Sequence, residues 1–250
     1  MRTMLSEKER LELKILSIVH EGTDPVGSGT ISEQLRLAGF EISEATVGRI
    51  LRSLDHKGFT ERVGFQGRLL TAEGIQRLTQ LRKQKDQYYY STELMSALRN
   101  TSKENLIDLL VARRAIEGEI ARLAAVHATP EQLKLMRKIL EEQKRHAELG
   151  IGGAHEDVQF HHLIAEAAGN KVLEAALALI RQYGQLSPIL EHIRKEVRSN
   201  IVIDHERIWV AISQHDPEEA RKAMIDHLES LISDVEKYWG QAPGLENHIS

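Results

Sequence analysis

The chain has 250 residues, 41% hydrophobic, 28% charged and 4% aromatic, with 17 Gly and 5 Pro; this balance suits a helix-rich globular protein of two domains and argues against disorder and an all-β sandwich. It has no cysteine, which excludes disulfides, thiolate nucleophiles, zinc knuckles and iron–sulfur clusters, so a metal would be held by His, Asp and Glu. The formal net charge of -4 divides unevenly, 14 Lys and Arg against 12 Asp and Glu over residues 1–90 and 19 against 25 over 91–250, making the first part the better candidate for an anionic partner.

Met1 to Arg10 lacks the apolar stretch of a signal peptide, and no run of about 18 apolar residues occurs; a cytoplasmic location without membrane contact is expected. A first helix starts at Ser6, where Glu9 completes a capping box, and Gly22-Thr23-Asp24-Pro25 ends it. A short helix over about 28–37 follows, and Ala38-Gly39-Phe40 turns into a third helix capped by Ser43. There Ile42 and Val47 form a hydrophobic staple, Val47, Ile50, Leu51 and Leu54 form one buried stripe, and Gly58 ends the helix. Two short segments, 59–63 and 68–71, flank Gly64-Phe65-Gln66-Gly67 and read as a β-hairpin. Three helices and a hairpin outline a winged helix over residues 1–75. A polar linker helix, 76–100, leads through Tyr88-Tyr89-Tyr90 into an all-helical bundle of about six helices over 101–240, large enough to enclose a ligand, and 241–250 is a tail. The fold class is mainly α, a winged helix-turn-helix followed by a helical ligand-binding bundle.

The stripe on the third helix leaves Ala45, Arg49 and Arg52 on the opposite side, with Thr46 at its margin and Ser43 at its start. Arginine can bond phosphate or the O6/N7 edge of guanine, and small residues let a helix enter the major groove. Arg62, Gln66 and Arg68 in the hairpin could reach backbone or minor groove. The same helix would also suit a winged helix that binds protein.

Among 12 histidines, three join Asp157 in one constellation. Asp157 and His161 are four apart on one helix face, and His205 and His227 stand eleven residues before and after Asp216, so an antiparallel helix pair turning there brings them level. Three imidazoles and a carboxylate suit zinc first, with nickel, manganese, cobalt or iron as alternatives. A surface ion pair is the plainer reading of Asp157 and His161 alone.

The bundle resembles the FCD ligand-binding domain of GntR-family transcriptional regulators of the FadR subfamily. The likeness runs from Arg113-Arg114-Ala115-Ile116-Glu117 and Leu123-Ala124-Ala125 through Asp157-Val158-Gln159-Phe160-His161 and Ala165-Glu166-Ala167-Ala168-Gly169-Asn170. Asp204-His205-Glu206-Arg207-Ile208, Asp216, Ala223-Met224 and His227-Leu228 complete it. The resemblance implies a homodimeric regulator, expected to repress, whose Asp157, His161, His205 and His227 bind a divalent metal. It further implies a small carboxylate effector held with the help of Arg113, with Asn170 near the pocket, and an operator in double-stranded DNA as partner. Arg113 can equally pair with Glu117, and Asn170 can cap a helix. The first domain departs from the usual GntR recognition helix and, with Ser43 to Leu51 and Gly67 to Gly74, looks more like the NrpR type. A metalloenzyme using Glu156 or Glu166 as general base and a protein-interaction module with structural zinc are the alternatives.

Overall fold

The computed structural model describes residues 5–99, 102–150, 153–184, 186–197, 199 and 201–241. The tail expected over 241–250 lies outside these apart from Gln241. The chain forms two compact units, Met1–Leu94 and Met95–Ser250.

The first unit is a winged helix. α1 (Glu7–Glu21) opens on the Ser6/Glu9 capping box, α2 spans Ser28–Leu37, and α3 spans Glu44–His56 with the Ser43 hydroxyl accepting from the Thr46 amide. Capping satisfies amides that have no partner in the first turn. β1 (Thr60–Val63) pairs antiparallel with β2 (Gly67–Leu70), Arg62 opposite Arg68. Val26 adds an isolated bridge to Arg68. A side chain at Gly67, whose φ is +146°, would meet the Val26 backbone at 2.4 Å; only glycine fits. Ile15, Leu16, Val19, Ile31, Leu35, Val47, Leu51 and Leu54 fill the core, and Ile42 and Ile50 pack against it. α4 is continuous from Ala72 to Arg99 and contributes Leu78 and Leu81 to this core. Tyr88, Tyr89 and Tyr90 are exposed on it.

The second unit contains α5 (Lys103–His127), α6 (Pro130–Glu148), α7 (Ala154–Ala167), α8 (Lys171–Gly184), α9 (Leu186–Val197), α10 (Ile201–Ser213) and α11 (Pro217–Gln241). α5 packs along α11, where Gly118 lies against Ile225. Thr129, Pro130 and Gln132 form the cap of α6, with Pro in the first turn, where its missing amide costs nothing. The α10–α11 turn is held by His215 at φ +54°, whose Nδ1 lies 2.8 Å from the Ala125 carbonyl. Asp216 accepts from the Glu219 amide. No helix among the described residues is long and apolar enough to cross a membrane.

Candidate functional site

α7 carries Asp157 and His161 one turn apart, and the α10–α11 hairpin carries His205 and His227. Their candidate ligand atoms all lie within 4.8 Å of one another. The His205 and His227 ring centroids are 4.8 Å apart, as the symmetric spacing about Asp216 requires. Asp157 Oδ1 is 3.5 Å from Nε2 of both His161 and His205. All three imidazoles are buried, and none of their Nε2 atoms has a hydrogen-bond partner.

Each Nδ1 is occupied instead. His161 Nδ1 contacts Glu117 Oε2, His205 Nδ1 is 2.9 Å from Gln143 Oε1, and His227 Nδ1 is 3.4 Å from Asp204 Oδ2. When Nδ1–H donates outward, the Nε2 lone pair faces inward, which orients an imidazole for a metal. Burial, reinforced by neighbouring histidines, holds His205 and His227 well below the usual histidine range, so both are neutral. Burial alone would raise Asp157, but Arg181 and the histidines outweigh it and keep the carboxylate ionised. The same contest at Glu117 is won by Arg113 and His161, and its carboxyl also sits below the usual range. Three inward lone pairs without a partner, with Asp157 Oδ1 beside two of them, fit a divalent ion.

Arginines surround this centre. Arg113 is buried, with Nε 2.5 Å from Glu117 Oε1 and Nη2 free of any partner. Both readings of Arg113 therefore have a physical basis: an ion pair, with one donor to spare. Arg181 Nη2 is 2.5 Å from Asp157 Oδ2; its Nε and Nη1 have no hydrogen-bond partner, and Nη1 faces Glu117 Oε2 at 4.0 Å. Arg194 on α9 is also buried. The sequence reading missed Gln143, Asp204, Arg181 and Arg194 as parts of the site, and had Glu117 only as the partner of Arg113. Glu117 and Asp204 stand in the motifs quoted above; Arg181 and Arg194 carry no local signal, since arginine is ordinarily exposed.

Other expected site residues fall elsewhere. Asn170 is exposed and its Oδ1 accepts from the amides of Val172 and Leu173, so it caps α8 and does not belong with the buried cluster. Glu156 turns to His146 Nδ1 at 3.1 Å, and Glu166 is exposed. Neither joins the cluster as a general base.

On the first unit, Ala45, Arg49 and Arg52 are exposed along α3 and Thr46 is half-buried, while the hydroxyl of Ser43 is used as the α3 cap. Arg49 reaches Thr46 Oγ1 at 3.0 Å, and Arg62 bonds the Gly64 carbonyl at 2.9 Å. Gln66 is exposed at the hairpin tip beside the fully exposed Phe65. Arg68 departs from expectation. It grips Asp55 through Nε and Nη2, both at 2.9 Å; the pair ties β2 to α3, so this guanidinium is not free for phosphate.

Residues 108–230 match the family model for the FCD domain, and residues 13–78 match that for the Ribonuclease R winged-helix domain. The Uxu operon transcriptional regulator of Escherichia coli K12 is 32% identical over 131 residues, covering 50% of this chain and 51% of that one. The HTH-type transcriptional repressor NanR of the same strain is 33% identical over 121 residues, covering 48% and 46%. The chain thus spans about half the length of the curated relatives it matches. Solved structures similar to it include a Streptococcus agalactiae GntR protein (21% identity, TM-score 0.45, covering 90% and 99%) and McbR/YncC of E. coli (16%, 0.48, 94% and 100%).

Proposed function

The chain carries, over residues 108–230, an FCD domain of the GntR/FadR type, and on that premise we propose that it is a DNA-binding transcriptional regulator whose helical unit holds a divalent ion and a small carboxylate effector. The observation that carries this is the trio of buried, partnerless Nε2 atoms around Asp157. Asp157, His161, His205 and His227 are the ligands, and Glu117, Gln143 and Asp204 keep the imidazoles turned inward. The bound ion supplies a Lewis-acidic anchor for an effector carboxylate. Arg113 and Arg181 offer that carboxylate their unused N–H groups, and the buried setting strengthens each such contact by excluding water.

On the first unit, Arg49 and Arg52 of α3 with Arg62 and Gln66 of the hairpin contact the operator. Two such heads in a homodimer would read a two-fold related site and double the phosphate contacts. Likeness to NanR favours repression. The effector changes operator affinity only to the extent that it binds one state of the dimer more tightly than another.

Elemental analysis of protein purified without tag or chelator tests the centre. About one zinc or similar ion per chain is expected, and none in a His161→Ala/His205→Ala variant. A metal-free protein that also takes up none on titration would overturn the site. Mobility-shift assays with DNA upstream of its own gene, with and without zinc, test the rest, and absence of binding in every condition would overturn the regulator reading.

A further inference from the structure

The β1–β2 hairpin is pinned at its base and along both strands. Val26 and Arg68 exchange two backbone hydrogen bonds of 3.0 Å. Thr60 Oγ1 of β1 donates to Asp55 of α3 at 2.5 Å, and Arg68 of β2 donates to the same carboxylate through its guanidinium. At the tip the Gln66 amide donates to the Val63 carbonyl at 3.0 Å and Arg62 Nε to the Gly64 carbonyl. Gly64, at φ +53°, takes the left-handed conformation that glycine adopts without strain. The tip therefore has a fixed place relative to α3. Phe65 stands on it with its whole ring in water, and the Arg62 guanidinium lies 5.9 Å from the ring centroid.

A lone exposed apolar side chain is ordinary on a protein surface. A phenylalanine held out on a stiff tip beside a cation is a more particular arrangement, and its neighbours decide what it fits. Gly64 and Gln66 on either side are exposed and bring no apolar surface. The tip thus offers one ring of about 150–250 Å², far less than the roughly 800 Å² per partner that a stable protein interface buries. The minor groove of duplex DNA needs no more than that. There an apolar side chain enters between two base pairs, and the phosphates along both edges favour a cation next to it. Arg49 and Arg52 project from α3, to which Asp55 ties this hairpin, so helix and tip can address one duplex.

We propose that Phe65 is an apolar wedge that enters the minor groove of the operator and opens one base step, with Arg62 meeting the phosphates beside it. The proposal rests on the reading of the first unit as DNA-binding. A wedge of this kind bends the duplex toward the major groove. It also adds sequence preference without a hydrogen bond to any base, because pyrimidine–purine steps open at the lowest cost.

The test uses the full chain and short duplexes tiled across the region upstream of its own gene, with fluorophores on both ends so that energy transfer reads the bend. On the duplex that the wild type binds most tightly, Phe65→Ala is expected to weaken binding about ten- to a hundredfold, the range for losing one ring–base contact, and to straighten the DNA. The slope of log affinity against log salt should stay the same, since no charge is removed. Phe65→Leu, which keeps an apolar wedge, should retain most of the bend. With 2-aminopurine placed at successive positions of that duplex, the wild type should brighten it at one step and Phe65→Ala at none. Equal affinity and bend for wild type and Phe65→Ala, or no brightening with the wild type, would overturn the wedge and leave the DNA-binding reading in place. Loss of self-association in Phe65→Ala with DNA binding intact would also overturn it, by giving the ring to a second copy of the chain. A wild type that binds none of the duplexes, with or without zinc, removes the regulator reading and the wedge together.

Discussion

One amide oxygen leaves His205 with an inward-facing nitrogen. Gln143 Oε1 accepts a hydrogen bond from Nδ1–H, and the Nε2 lone pair turns to the cluster. Gln143→Leu keeps the volume and removes the acceptor, so metal affinity should fall about 10- to 100-fold, the usual effect of losing such an outer partner. Competition against a chromophoric chelator measures it; unchanged affinity would show that Gln143 does not orient the ring. Glu117 does double duty, accepting from Arg113 and His161 within the core. Glu117→Ala leaves Arg113 buried without its counter-charge and should cost about 3–5 kcal/mol in urea unfolding. The pairing of Arg113 with Glu117 is legible as an i,i+4 spacing. The contact of Glu117 with His161, 44 residues away, is not.

At the scale of elements, α3 and the hairpin divide the arginines between two tasks. Arg49 and Arg52 project from α3, whereas Arg68 binds β2 to α3 through Asp55. Replacing Arg49 and Arg52 with Ala should weaken DNA binding and lower the slope of log affinity against log salt by about 2 if both meet phosphate. A protein-docking role predicts no such change. Arg68→Ala should instead lower the stability of the first unit by about 1.5–3 kcal/mol, as loss of a charged hydrogen-bond pair does, with its salt slope intact. Gly67→Ala should destabilise the same unit by about 1–3 kcal/mol or more, since strain in φ is joined by a clash with Val26; chemical denaturation followed by circular dichroism reads both. The hairpin itself was legible from its glycine-bearing tip, but which of its arginines turns inward depends on Asp55, which no strand pattern contains.

For the molecule as a whole, two units with separate cores should respond separately to metal. An ion that binds only the folded state at 100 times its Kd adds about 2.7 kcal/mol of stability. Zinc is therefore expected to raise the unfolding temperature of the second unit, EDTA to reverse the rise, and the first unit to stay where it is. Limited proteolysis during the melt distinguishes the two. A shift of both units together, or of neither, would contradict a metal centre confined to α7, α10 and α11.

Helices, caps and the hairpin were readable in the amino-acid order because each rests on neighbours a few residues apart: the Ser6/Glu9 box, the Ser43 cap, the Val47–Leu54 stripe and Pro130 after Thr129. The level placement of His205 and His227 was readable too, since one turn at Asp216 relates them. Tertiary packing alone determined the outer partners Glu117, Gln143 and Asp204, the burial of Arg194, the near-burial of Arg181 and the engagement of Arg68 by Asp55. Periodicity says which face of a helix is apolar. It does not say which charged side chain a second helix will cover, and burial with its unmade hydrogen bonds is what turns a charge into a binding site.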